Sequence, residues 1–291
     1  MASDRKHDWN LWYKQPASVW EEALPIGNGR LGGMVFGGIQ EERIALNEDT
    51  LWAGFPRDTV NYEARRHLER ARSLIFECKY AEAQKLVDGK MLGRDCQPYL
   101  PLGNLMLTRR DGANVGADNL SVERYRRELS LANGLASVEY RSNGIAVQGE
   151  YFASVPDQVI CIRYVALEGE LNYDIALDSP LRYTTVAEGD SLVMSGRAPS
   201  HISDNYLGDH PAPVVYEDGL GMLYEARLRV ESDGNVQAGE GKLEVRKASQ
   251  VIVYLAATTG FVDYRTAPDE SGLSERCVRT LSARRNADTK N

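Results

Sequence analysis

The sequence predicts a mainly β protein, an antiparallel two-sheet β-sandwich carrying one inserted helical hairpin. Beyond residue 100 short β-like runs keep returning, broken by Gly, Asn, Asp or Pro. Their spacing is roughly the 8–12 residues typical of sandwiches and barrels. A single long stretch near the N-terminal third carries a helical period instead.

The elements are taken in chain order. The opening "MASDRKHDWN" has no apolar core and no small-residue cleavage site, so no secretory signal is expected. Residues 27–32, "GNGRLG", fit Gly-x-Gly-x-x-Gly, and Glu48 and Asp49 follow about 20 residues later, as in a dinucleotide fingerprint. That fingerprint needs a buried strand before it and a helix after it. Here "WEEALP" is acidic and ends in Pro25, and "MVFGGI" followed by "ERIALN" reads as two strands and a turn. No nucleotide cofactor is expected, and the glycines are read as turn and close-packing residues.

Between Tyr62 and Val87, Ala64, Leu68, Ala71 and Leu74–Ile75 recur at helical spacing among charges, and a second amphipathic piece, Tyr80 to Val87, is stopped by Gly89. This predicts a helical hairpin over 62–87 covering a sheet edge or face. Next, "ASVEYRS" and "IAVQGEYFAS" flank Asn143-Gly144, a strong two-residue hairpin signal. "QVICIRYVAL", "NYDIALDS" and "SLVMSGR" continue the strands. In "LYEARLRVES" apolar residues alternate with charges, as in a strand with one wet face, and Asp233-Gly234 should turn it back. "GKLEVRK" and "SQVIVYLAATTGF" complete the series. The polar "SARRNADTKN" is expected to fray.

Composition narrows the partners. The formal net charge of −8 repels a phosphate backbone on average, and the basic run Arg124, Arg126, Arg127 reads as a solvated face, so no nucleic acid is expected. No run approaches the ~20 apolar residues of a membrane span. Cys78, Cys96, Cys161 and Cys277 share no C-x-x-C spacing and the four histidines are scattered, which predicts no metal site and reduced thiols of a cytoplasmic kind.

The run "WEEALPIGNGRLGGMVFGGIQEERIALNEDTLWAGFP" resembles the start of glycoside hydrolase family 95, the 1,2-α-L-fucosidase family with related L-galactosidases. The resemblance continues through "ARSLIFECKYAEAQKLV", "YLPLGNLML", "YRRELSLANGLASVEYRSNG", "YFASVPDQVICIRY", "MSGRAPSH" and "LEVRKASQVIVYLAATTGF", so it covers about Trp9 to Phe261. It implies an N-terminal β-supersandwich of the galactose-mutarotase-like type over residues 9–265, with residues 266–291 as the start of a linker or a frayed tail. It also implies that inverting hydrolysis belongs to an (α/α) barrel that this chain does not contain, so no catalytic residue carries over and the chain alone should be inactive.

Inversion needs two carboxyl groups roughly 6.5–9.5 Å apart. Adjacent strand residues such as Glu48 and Asp49 point to opposite faces, which argues against their sharing a sugar. Asn28, Arg30, Asn47, Glu48, Asp49 and Trp52 are therefore expected to contact sugar or to dock a domain, with the loop His201–His210 beside them. The expected partners are the absent barrel, fucosylated glycans, or a second copy of the chain through this exposed surface. A free-standing lectin-like module is the alternative, since Trp9, Trp12, Trp20 and Trp52 cluster early.

Overall fold

The computed structural model describes residues 9–110, 121–205 and 208–283. The expected fraying of the tail beyond residue 283 lies outside them. The chain runs β1 (Asn10–Tyr13), β2 (Leu24–Gly27), β3 (Leu31–Val35), β4 (Glu41–Glu48), α1 (Leu68–Phe76), α2 (Tyr80–Lys90), β5 (Gly103–Arg109), β6 (Val122–Ser130) and β7 (Leu135–Ser142). It continues through β8 (Ile145–Ser154), β9 (Val159–Glu168), β10 (Leu171–Asp178), β11 (Arg182–Glu188), β12 (Ser191–Arg197), β13 (His201–Ile202) and β14 (Val214–Val215). The last elements are β15 (Leu223–Ser232), β16 (Asn235–Gly239), β17 (Lys242–Ala248), β18 (Gln250–Thr259) and α3 (Leu273–Ala283).

Two antiparallel sheets face each other. One has the order β1-β6-β7-β8-β9-β18-β15-β12-β11 and the other β16-β17-β10-β5-β4-β3-β2. Ile44, Leu46, Leu105, Leu107, Ile160, Ile162, Ile175, Leu228, Val253 and Leu255, from both sheets, share one fully buried core. The Asn143-Gly144 turn joins β7 to β8 with φ of 52° and 79°, the positive pair that a type I′ hairpin turn requires.

Four expectations are corrected. Asp233-Gly234 does not turn β15 back on itself, because β15 and β16 lie in different sheets and the chain crosses the core edge there. The Asp233 carboxylate receives the Ser249 and Gln250 amides at 2.9 Å each, tying the crossing to the start of β18. The outer face of β15 is not wet either. α3 lies over β15 and β18, burying Cys277 and Leu281 together with Glu225 and Arg229 of the strand. Arg227 of the same face donates to Ser274 of the helix at 2.7 Å. Leu273, Cys277 and Leu281, spaced four apart, form the buried stripe of this docked helix.

Arg127, read as part of a solvated basic face, is 2% exposed. A bulge at Arg124 (φ 56°) shifts the β6 register, and the segment before β2 folds over Arg127, whose guanidinium donates to the Gln15 and Glu22 carbonyls. The helical hairpin exists close to the expected place, but its contacts are chiefly within itself rather than with a sheet. α1 packs on α2, both pack on the 3-10 turn Tyr62–His67, and Phe76 stands 85% exposed. Only Ala71, Leu74 and Ala83 are buried, too narrow a stripe to hold the hairpin against a second surface.

Inside the sandwich Glu42 of β4 is buried between the sheets. Its carboxylate accepts from the Tyr151 hydroxyl at 2.7 Å, the Tyr164 hydroxyl at 3.2 Å and the Gly37 amide at 2.9 Å. Burial pushes its pKa up from 4.5 to about 7, against the lowering effect of those bonds. The native state therefore holds a proton that the unfolded chain has lost between these values. Stability from this group is full below pH 4.5 and declines as pH rises through 7. Glu42→Gln is expected to flatten this decline, on the order of 3 kcal/mol, when urea unfolding is measured at pH 5 and pH 8. An unchanged pH dependence in the variant would show that Glu42 is ionised throughout.

Candidate functional site

The loops that follow β2, β4, β8 and β18 meet at one end of the sandwich, and the glycine stretch sits among them. Gly29 holds φ at 91°, a left-handed conformation that favours glycine, in the turn from β2 to the antiparallel β3. The amides of Arg30 and Leu31, which a phosphate would need, are already bonded to the Asn28 side-chain oxygen at 3.1 and 2.8 Å. The Asn28 amide group reaches across to the Ser154 carbonyl at 2.9 Å, fastening this turn to the end of β8 in the other sheet. Gly33 serves the core rather than an outer surface, since a Cβ there would stand 3.0 Å from Ile44.

Alternation along β4 sends Glu42, Ile44, Leu46 and Glu48 inward and Arg43, Ala45 and Asn47 outward. Glu48 is consequently 3% exposed at the rim of the core, while Asp49 is exposed. One Glu48 oxygen takes the Thr50 amide and hydroxyl at 2.8 and 2.6 Å, and the other faces Arg30 at 3.3 Å. Desolvation raises the Glu48 pKa, and the Thr50 bonds and Arg30 oppose the rise. Arg30 also donates to the Gln158 side chain at 2.8 Å and to the Ala257 carbonyl at 2.7 Å. Thr50 meets Thr259 hydroxyl to hydroxyl at 2.5 Å. Glu48 and Arg30 thus clasp the β2–β3 turn, the end of β4, the start of β9 and the end of β18.

This clasp faces a cleft of about 380 Å³ that α3 closes from one side with Arg276 and Arg279. Both Glu48 oxygens are occupied by protein donors, and the adjacent Asp49 points away. The pair expected to diverge does so, and the arrangement holds loops in place rather than presenting an acid and a base to one bond.

Trp52 and Tyr99 form the rim next to the clasp. Their rings lie 5.4 Å apart at 60°, the Tyr99 hydroxyl donates to the Glu48 carbonyl at 3.0 Å, and Trp52 remains 42% exposed. Asn47 sits on the outer face of its sheet, lining a groove with Trp20, Asn104 and Tyr183, and its side chain also hydrogen-bonds Tyr99 of the rim. Beyond Trp52, residues Phe55, Pro56, Phe261, Val262 and Tyr264 line an apolar cleft of about 280 Å³. Of the His201–His210 loop, Ile202 is held by Gln97, while residues 206–207 lie outside the described residues. The six candidate residues are thus divided. Asn28, Arg30 and Glu48 build the clasp, Trp52 the rim, Asn47 borders both the rim and another groove, and Asp49 faces solvent. Thr50, Gln158 and Thr259 were missed because residues 209 apart in sequence carry no local sign of contact. The inward parity of Glu48 with Ile44 and Leu46 was legible.

The fold and this rim define an antiparallel β-sandwich domain with an internally satisfied acidic clasp. Residues 11–264 match the family described as "Glycosyl hydrolase family 65, N-terminal domain", and the chain belongs to that family. Among curated relatives, "Alpha-L-fucosidase 2" of Arabidopsis thaliana is 33% identical over 97% of this chain and 34% of its own length. "Probable alpha-fucosidase A" of Aspergillus niger is 26% identical over 78% of this chain and 27% of its own length. The chain thus spans about a third or less of these relatives. A solved structure, "Putative kojibiose phosphorylase from human microbiome", superposes with a TM-score of 0.51 at 10% identity, covering 97% of this chain and 36% of that one, and shares the fold. The fucosidase-like, N-terminal-domain character expected from the motifs is shown.

Removing the clasp should cost stability. Glu48→Ala is expected to lower the unfolding free energy by about 2–3 kcal/mol, because the Thr50 amide and part of Arg30 lose their acceptor. Asp49→Ala should change it by less than about 0.5 kcal/mol. Urea unfolding of both variants checks this, and equal losses would remove the clasp assignment. Trp52→Ala should leave the sandwich folded, at a cost of about 1 kcal/mol for the lost Tyr99 contact.

Proposed function

We propose that this chain is the non-catalytic N-terminal sandwich of a fucosidase-type glycoside hydrolase of the family 95 kind, and that it docks on a catalytic barrel. The observation that carries this reading is the rim. Trp52, Phe55, Tyr99, Phe261, Val262 and Tyr264, between 38% and 73% exposed, gather at the end where the clasp holds the loops rigid. Contiguous exposed apolar surface bounded by polar groups marks an interaction site. The projecting helical hairpin adds Phe76, Ile75 and Tyr80 as further apolar surface. The curated relatives are about three times longer and are described as fucosidases, which supports a partner portion of that class.

A second role rests on the Trp52–Tyr99 pair alone. Paired aromatic rings at a rim offer a sugar's C–H face an apolar platform, so outer-subsite contact with fucosylated glycans accompanies docking. A free-standing lectin-like module would use the same rings without a partner, and glycan capture by the isolated chain distinguishes it.

Two measurements test the reading. The purified chain is expected to show no turnover of 2′-fucosyllactose or an aryl fucoside. Reproducible turnover that disappears in Glu48→Gln would place the chemistry here instead. Titration calorimetry with the separately produced remainder of the Arabidopsis relative is expected to show binding that Trp52→Ala or Phe261→Ala weakens at least about tenfold, or 1.4 kcal/mol. Binding indifferent to both substitutions would remove the rim as the docking surface.

A further inference from the structure

The two sheets have four edges, and three of them are guarded. β1 and β2 are four residues long, and β2 contains Pro25. β16 has five residues and ends in Gly239. Short edges, proline and irregularity are the usual means of stopping one sheet from pairing with another. β11, "RYTTVAE", differs on every count. It pairs with β12 through all seven residues without a register shift, has neither proline nor lysine, and carries no strand on its other side among the described residues.

Its side chains are self-complementary when two copies run antiparallel. Backbone groups that face outward come from alternate residues, so a two-fold pairing must be centred on a residue. Centring on Thr185 sets Arg182 against Glu188 of the other copy at both ends, Tyr183 against Ala187, and Thr184 against Val186. Centring on Thr184 or Val186 instead leaves one member of each charge pair overhanging. Among the described residues neither Arg182 nor Glu188 is in an ion pair, and both are exposed. The Arg182 guanidinium lies 4.1 Å from the centre of the Tyr216 ring. Val186, on the same face as Arg182 and Glu188, is 51% exposed. Opposite charges and β-branched or large–small pairs directly across a ladder each favour pairing.

We propose that β11 is a self-association edge, joining two copies of this chain about a two-fold axis through Thr185. The two nine-stranded sheets then continue into one another. A seven-residue ladder buries less than a standard interface, so the dimer is weak and concentration-dependent. This edge is distinct from the aromatic rim, and the inference does not depend on the docking reading.

Register makes the proposal testable on the 291-residue chain. Across the axis the two Thr185 Cα atoms lie about 4.5–5.5 Å apart, within disulfide reach. The two Ala187 positions lie roughly 13 Å apart, beyond it. In a Cys78→Ser, Cys96→Ser background, Thr185→Cys is expected to give a disulfide-linked dimer on mild oxidation, and Ala187→Cys none. Linkage at both positions, at Ala187 alone, or at neither overturns the proposal. Sedimentation of the chain without introduced cysteines supplies a second reading should a cysteine variant misfold. R182E or E188R alone should abolish the dimer, and the double exchange R182E/E188R should restore it. A chain that stays monomeric at the highest soluble concentration, or a dimer indifferent to all three variants, equally overturns it.

Discussion

Alternation along a strand buried on one face is the constraint on which the rest of this structure depends. β4 sends every second residue into the space between the sheets, and those residues are Glu42, Ile44, Leu46 and Glu48. The two aliphatic residues belong to the core, and the two acids have to be satisfied there because a buried polar group without a partner is costly. Glu42 does so with tyrosines of the opposite sheet, and Glu48 with Thr50 and Arg30. Glu42 therefore takes its partners from the facing sheet directly, while Glu48 is tied to that sheet through Arg30 and Thr50, which bond Ala257 and Thr259 of β18.

The consequence at the loop end is positional. Arg30 and Glu48 hold the β2–β3 turn against the ends of β9 and β18, and Asn28 extends the tie to β8. With those loops fixed, Trp52 and Tyr99 stand half-exposed beside them. A rigid apolar rim loses little side-chain freedom when a partner covers it, which favours docking over a mobile surface. The same bonds from Thr50 and Arg30 that hold the loops also fix the position of the Glu48 carboxylate.

The helices show two outcomes of one rule. An amphipathic helix goes where its apolar stripe finds apolar surface. α3 has a complete stripe in Leu273, Cys277 and Leu281, and it lies on the outer face of β15 and β18. The α1–α2 hairpin has only Ala71, Leu74 and Ala83 facing inward, so it packs on itself and projects. Charged residues on β15 that read as solvated are buried because of α3.

By itself the sequence determined the β-sandwich class, the helical hairpin, the Asn143-Gly144 turn and the family likeness, because each rests on local periodicity, turn chemistry or contiguous motifs. It also carried the divergence of Glu48 and Asp49, which follows from adjacency on a strand. Only the tertiary structure decided that Asp233-Gly234 crosses between sheets, that Arg127 is buried, and that Thr50 meets Thr259. A hairpin and a sheet crossing can begin with the same two residues, and which occurs depends on where the next strand finds hydrogen-bonding partners. Burial of Arg127 depends on a separate segment folding over it, and the Thr50–Thr259 contact on loops brought together by the packing of whole sheets. Those are long-range choices, made by the core as a unit, and no short window of sequence contains them.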